Sequence, residues 1–579
     1  MARRSRPEAS LPTPATAPAG KAAPPYDRAF AAALAALTLA ALAVRLWGIG
    51  WGLPGPTRLF SYHPDEGVNL VQGVLDNGVA RPHLHLGLYN YGGLFFYLWQ
   101  AGVAVNGAYG LVSLPDALHP AQASPNSIAA MVMVGRLLSA LLGALTALLT
   151  GIVGARLYGR RVGIGAAAFV AAAPLLVVHS HFATVDIPAT FFTTAALATG
   201  IRLLEVRDAR WCLAAGFLCG LAAATKYTAV VVLAAPLTAL VLPLARRAER
   251  ATPSPSARVP GVLAAVALVL AAAAAGFAFG CPGALLDWPA FVRDASFEAR
   301  KSAQGMGLLF VGTGNGWLYH LRSSLRYGLG APLLALSLGG VAWAVVRRAR
   351  GDIYLAAFAA PYYLLIGYAN VRFMRYVAPL CPVLAILAAR VLLGADWRLR
   401  RSRRWMVVAA ALFAGATLFI SLALDAVMAA EDPRDRARAY ILDRAPAGTS
   451  IALASTPWFW TPPLAPEFTA PSPAARRRAA LESRQYRFRL PAEGAEWDER
   501  VFEPTPPDLV LLSDLETQSA MRLHYPPAMR FADHLNPGYR ATVWENVPSL
   551  LGISIGKPPN LPIDLLYICP RVTLYARDQ

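Results

Sequence analysis

The sequence predicts a polytopic α-helical membrane protein that ends in a small extracytoplasmic α/β domain. Of its 579 residues 56% are hydrophobic, and the mean hydropathy is +0.43. That is more apolar material than one soluble core needs, and it falls in runs of membrane-spanning length. The formal net charge of +19 comes largely from arginines clustered in short stretches between those runs. Such clusters mark cytoplasmic loops, so nucleic acid is excluded as a partner. From about residue 430 the composition shifts to charged residues, prolines and short apolar strands.

Three regions follow: 1–28, 29–428 and 429–579. Residues 1–28 are rich in Ala, Pro and Arg and are expected to be disordered and cytoplasmic. The first apolar run, residues 30–47, then points outward. It is too long and too late in the chain for an ordinary cleaved signal peptide.

The run at residues 93–112 decides the topology. If it spanned, every later arginine cluster would be inverted. If it lies along the outer surface, the clusters at 156–161, 202–210, 246–258, 347–350 and 398–404 all fall inside together. Gly102, Asn106 and Gly107 interrupt this run, and Tyr97, Trp99 and Tyr109 are interface residues, which favours the surface helix. Spans are then expected near 130–155, 162–178, 188–203, 211–224, 227–245, 260–280, 329–346, 353–369, 376–394 and 405–424, about eleven with the first.

This topology puts all nine histidines on the outer side, including His63, His83, His85, His179 and His181. With them come Asp65, Glu66, Asp186, Lys226, Lys301, Arg372 and Arg375. Basic residues that break the positive-inside pattern point to anion binding at the outer surface, the alternative being that they snorkel to lipid headgroups. Lys226 stands out because lysine otherwise occurs only at Lys21, Lys301 and Lys557.

The stretch Ser61-Tyr62-His63-Pro64-Asp65-Glu66-Gly67 lies just beyond the first helix. Proline suits a first helical position and acids suit a first turn, so the simplest reading is a helix start. Two adjacent carboxylates are equally out of place at a membrane surface unless they meet something there. Cys212, Cys219, Cys281, Cys381 and Cys569 lie mostly in or beside apolar runs without metal-ligand spacing, and read as core residues.

In the last region a helix is expected at 433–445, with strands at 450–454 and 508–512. Residues 464–499, rich in Pro, Arg and Ala, read as a mobile loop. Trp458, Phe459 and Trp460 are expected to pack as an apolar cluster on the membrane face, with contact to a sugar or lipid as the alternative.

In order, the Asp65-Glu66 pair, Tyr89-Asn90-Tyr91-Gly92-Gly93-Leu94-Phe95, Arg156-Leu157-Tyr158-Gly159-Arg160-Arg161, Asp186-Ile187-Pro188, Thr225-Lys226-Tyr227 and Arg372-Phe373-Met374-Arg375-Tyr376 resemble the GT-C glycosyltransferases. Within these the chain is most similar to the protein O-mannosyltransferase and aminoarabinose transferase group, over residues 30–400. The resemblance implies a GT-C fold in the inner (plasma) membrane, with the active site outside. It implies transfer of a sugar from a polyprenyl-phosphate carrier, among membrane lipids, to an acceptor hydroxyl that the sequence does not name. Asp65, with Glu66 beside it, would be catalytic, Asp65 taking the acceptor proton. His63, His83, His85, Asn90, Tyr91, Asp186, Lys226, Arg372 and Arg375 would contact substrate. The chain departs from the aminoarabinose transferases at Asn90-Tyr91-Gly92, where they carry a Glu-Lys-Pro-like sequence. A charged phosphate contact is missing there, and His83 and His85 stand nearby to compensate.

No cofactor is expected on this reading. A metal-dependent oligosaccharyltransferase-like enzyme is the alternative, with Asp65, Asp186 and His179 or His181 as ligands to a divalent metal. A transporter should show paired repeats with broken helices, and no internal repeat is evident.

Overall fold

The computed structural model describes residues 27–75, 84–108, 124–242, 261–394 and 403–578. Residues 1–26, the arginine cluster at 246–258, most of that at 398–404, the end of the expected surface run, His83 and His119 lie outside them.

Each of the apolar runs read from the sequence is helical over most of its described residues. The first is Arg28–Leu46, started by Asp27, whose carboxylate accepts from Phe30 N–H at 2.8 Å. Pro125–Tyr158, Arg160–Ala172, Asp186–Gly200, Ala209–Thr225, Val262–Gly280, Ala331–Arg347, Arg350–Tyr368, Cys381–Leu393 and Arg403–Ala429 follow. Six helices among the described residues are long and apolar enough to cross a membrane, or seven if Gly316–Leu329 and Ala331–Arg347, bent by 120°, form one span. The expectation of about eleven also counted runs near 162–178, 211–224, 227–245 and 353–369, and for two of these four the shortfall has a local cause. Ala209–Thr225 stops at Lys226, which is extended, and the chain resumes as the 3₁₀ turn Tyr227–Leu233 before Ala234–Val241. Apolar material that reads as two full spans is thus broken into pieces beside Lys226.

The run at 93–112 forms the helix Leu94–Ala108, whose Phe95, Phe96, Trp99 and Val103 are fully buried against Ile128, Met131 and Val132. Trp99, read as an interface residue, instead donates its indole N–H to Met131 O at 2.8 Å inside the protein.

Every strand among the described residues lies beyond residue 449. Strands β1 (Ser450–Leu453), β2 (Arg487–Arg489), β3 (Leu509–Ser513), β4 (Tyr539–Glu545) and β7 (Arg571–Arg577) make a sheet of order β2-β1-β3-β7-β4. In it β1 is parallel to both β2 and β3, and β7 is antiparallel to β3 and β4. A two-stranded ribbon, β5 (Ser549–Leu550) and β6 (Ile553–Ser554), precedes β7. The helix Pro433–Arg444 and strands β1 and β3 fall where the pattern put them. Residues 464–499, read as a loop, contain the helix Pro473–Leu481 and β2. Its Phe468, Tyr486 and Phe488 are core residues, spaced too irregularly to show a period in sequence.

The sheet region is clamped to the loop after the first helix. Arg434 is fully buried, donates to both Asp432 oxygens and to Phe459 O and Tyr567 O, and lies over the Tyr62 ring. Asp432 accepts the Trp51 indole N–H at 3.2 Å, and Asp435 binds Arg58 and Tyr62. Charge-assisted bonds of this kind, out of water, fix the angle at which the sheet region meets the membrane helices. All five cysteines are free and buried.

Candidate active site

Pro64 opens the short helix Pro64–Val68, which places Asp65 and Glu66 in its first turn. They face opposite ways. Glu66 is fully buried, bound by Arg136 Nε at 2.8 Å and Nη2 at 2.7 Å, by Ala183 N–H at 2.8 Å and by Ser61 Oγ at 2.5 Å. Burial by itself would raise its pKa, but the Arg136 guanidinium overrides that and holds the carboxyl below the usual range. Glu66 was expected beside Asp65 as a catalytic carboxylate. It is instead a closed ion pair, because successive helical side chains diverge by about 100°.

Asp65 is 29% exposed and faces a cavity of about 350 Å³ between the membrane helices and the sheet region. Arg375 Nη2 donates to its Oδ2 at 3.0 Å. The same guanidinium binds Asp564 Oδ1 through Nη1 at 3.1 Å and has Nε 3.7 Å from Asp186 Oδ2. Asp186, in the first turn of its helix, accepts from Lys226 Nζ at 2.6 Å, and that ammonium lies 4.5 Å from the Tyr376 ring centre. Asp65, Arg375, Asp186, Lys226 and Asp564 therefore form one cluster of three carboxylates and two cations.

The backbone explains the approach of these groups. Lys226 sits where Ala209–Thr225 ends, and Tyr227 donates its hydroxyl to Tyr89 O at 2.7 Å and Tyr91 O at 2.9 Å. At Gly92 a Cβ would stand 1.9 Å from Ala224 O, so only glycine lets this loop lie against the helix end that carries Lys226. Tyr91 thereby lines the Asp65 cavity. Asn90 points instead into a second cavity of about 530 Å³ with Arg293 and Arg300.

Other expected contacts fall outside the cluster. His63 is fully buried between the rings of Phe182, 4.4 Å away, and Tyr567, 5.1 Å away. Burial pushes its imidazole down to about 3, so it is neutral and packs as an aromatic ring. Arg372 donates to Thr313 Oγ1 at 2.8 Å and Gly314 O at 2.6 Å and ties a loop. His85 is exposed on the 84–93 loop and does not line the Asp65 cavity, and His83 lies outside the described residues.

The metal set of the alternative reading is not gathered as ligands, although His179 Nε2 lies 3.5 Å from Asp564 Oδ1 with neither ring nitrogen hydrogen-bonded. Asp65, Asp186 and Asp564 surround the Arg375 guanidinium, which takes the place a cation would need. His181 has both ring nitrogens 2.9 Å from the carbonyls of Val177 and Trp47. No group of three or more His, Cys, Asp or Glu suited to a metal occurs among the described residues.

Asp564 was not read from the sequence. It sits in the four-residue helix Ile563–Leu566, is fully buried, and also accepts Met374 N–H at 2.8 Å. An acid one residue after Pro-Ile is the only local signal, and it is indistinguishable from a helix start.

The helix arrangement, with a carboxylate open to a cavity on the first loop, is similar to the GT-C fold of membrane glycosyltransferases. The model of the dolichyl-phosphate-mannose-protein mannosyltransferase family matches residues 129–275, which hold Asp186 and Lys226 but not Asp65 or Arg375. Among solved structures the chain is similar to the apo oligosaccharyltransferase of Archaeoglobus fulgidus, with TM-score 0.50 and 14% identity over 91% of this chain and 75% of that one. It is also similar to ArnT from Cupriavidus metallidurans bound to undecaprenyl phosphate, with TM-score 0.45 and 13% identity over 95% and 98%. No curated protein matches the sequence.

Proposed function

We propose that the protein moves a sugar from a polyprenyl-phosphate carrier to an acceptor hydroxyl, at the extracytoplasmic face of the membrane, with Asp65 as the base. The observation that carries this is the Asp65 carboxylate, oriented by Arg375 and open to a cavity between membrane helices and sheet region. The family match over residues 129–275 supports a lipid-phosphate sugar as donor.

An ordinary carboxylate is a weak base toward an alcohol, so Asp65 takes the proton only as the acceptor oxygen bonds to the anomeric carbon. The carbon–oxygen bond to the carrier phosphate breaks on the other side. Arg375 is committed to Asp65 and Asp564, and acts as a positioning residue that keeps Asp65 aimed. The leaving phosphate then needs another cation. Lys226, 13% exposed, reaches it by exchanging Asp186 for a phosphate oxygen, and Lys301 on the cavity wall is the second candidate. No step in this scheme requires a metal.

The test is transfer from a labelled polyprenyl-phosphate sugar by the purified chain. Asp65→Asn keeps shape and helix-start preference, so turnover should collapse while folding persists. Full activity in this variant would end the assignment. Loss of wild-type activity on adding a chelator would replace the base by a metal site.

A further inference from the structure

The cavity has a second end that the transfer scheme does not use. Strands β1, β2 and β3 run parallel, and the segments that leave their carboxyl ends all reach the cavity wall. Ser455, Trp458 and Trp460 follow β1, Trp497 follows β2, and Glu516 and Ser519 follow β3. In open parallel sheets ligands bind in the crevice outside the carboxyl ends of the strands. Here that crevice opens into the chamber that holds Asp65.

Its chemistry is specific. Trp458 and Trp460 are partly exposed, their ring centres 5.4 Å apart and their planes 65° apart, with the Arg476 guanidinium 4.3 Å over the Trp458 ring, which leaves that ring one face for a ligand. Ser455 donates its hydroxyl to Glu516 Oε1, which joins the β1 and β3 segments. The Trp460 indole nitrogen bears on the same carboxyl without reaching hydrogen-bond geometry. Burial pushes the Glu516 carboxyl up to about 7, so near neutrality it serves as donor as well as acceptor. Flat apolar rings beside a hydroxyl and a carboxyl complement a pyranose, which presents apolar C–H faces and a rim of hydroxyls.

We propose that this end of the chamber is a sugar-ring subsite for the acceptor, so that the hydroxyl presented to Asp65 belongs to a saccharide. The assignment to acceptor rests on the transfer scheme above. Lys226 packs on the ring of Tyr376, a wall residue from the membrane helices, so the scheme assigns the leaving phosphate to that wall, and a single displacement then brings the acceptor from another side. The subsite belongs to the sheet region.

Two measurements on the full chain in lipid nanodiscs test this. Saturation-transfer NMR should show binding of methyl α-mannopyranoside, weakened about tenfold in the near-isosteric Glu516→Gln and abolished in Trp458→Ala. With labelled polyprenyl-phosphate mannose as donor, Glu516→Gln should raise the KM for the methyl glycoside about tenfold and lower kcat much less. Equal loss of glycoside transfer and of donor hydrolysis in water would overturn the acceptor assignment. So would glycoside binding unaffected by either variant, or transfer to a Ser/Thr peptide in place of the glycoside. Glycoside binding that responds to Glu516→Gln in a chain with no donor turnover would keep the subsite and remove the transfer reading.

Discussion

Arg375 and Asp564, 189 residues apart in sequence, meet at 3.1 Å, and the same guanidinium holds Asp65 at 3.0 Å. The sheet region thus reaches into the membrane cluster and fixes the residue that orients Asp65. Arg375→Lys keeps the charge but not the planar fork that spans two carboxylates. We expect it to fold, with kcat lowered roughly tenfold or more, about 1.4 kcal/mol of barrier. Arg375→Ala leaves Asp564 buried and unpaired and should cost on the order of 3–5 kcal/mol of stability. Thermal unfolding in detergent, run beside the transfer assay, separates the two. Equal activity of Arg375→Lys and wild type would remove the positioning role.

Glu66→Gln should fail differently from Asp65→Asn. It leaves the buried Arg136 charge uncompensated, a loss on the order of 3–5 kcal/mol. The fraction that remains folded should still turn over. A stable but inactive Glu66→Gln would return Glu66 to the chemistry.

Lys226→Ala removes the cation proposed for the carrier phosphate. Loss of one charge-assisted contact of about 1.5–3 kcal/mol should raise donor KM by roughly tenfold to a hundredfold. Unchanged donor KM would leave Lys226 as the partner of Asp186 alone.

Glu516 gives a pH signature. Its folded carboxyl titrates near 7, above the ordinary 4.5, because burial favours the neutral form. A group raised on folding stabilises fully below its unfolded value, and that contribution is lost as pH climbs from about 4.5 toward 7. The melting temperature of wild type should therefore fall relative to Glu516→Gln between pH 5 and 8, as read by differential scanning fluorimetry. A constant difference across that range would contradict the shift.

Sidedness is tested by cysteine labelling. Asn106→Cys on the helix Leu94–Ala108 and Arg161→Cys after Pro125–Tyr158 should react from opposite faces of sealed vesicles, the first from outside. Reaction of both from one face would invert the arginine argument.

The sequence by itself determined the class of protein and the position of each apolar helix, since burial in lipid requires long apolar runs and those are local. It also named Asp65, Asp186, Lys226 and Arg375, because charge is conspicuous at the edge of such runs. Only the tertiary structure decided what each does. Glu66 and Asp65 are neighbours with the same chemistry, yet one faces Arg136 inside the protein and the other the cavity, a difference set by a single helical step. His63 and Arg372 have the residue types of a binding site and spend them on packing and on a loop. Asp564 and the Trp458 and Glu516 wall come from a region joined to the cluster by long-range contacts, and such contacts leave no period or spacing in the chain.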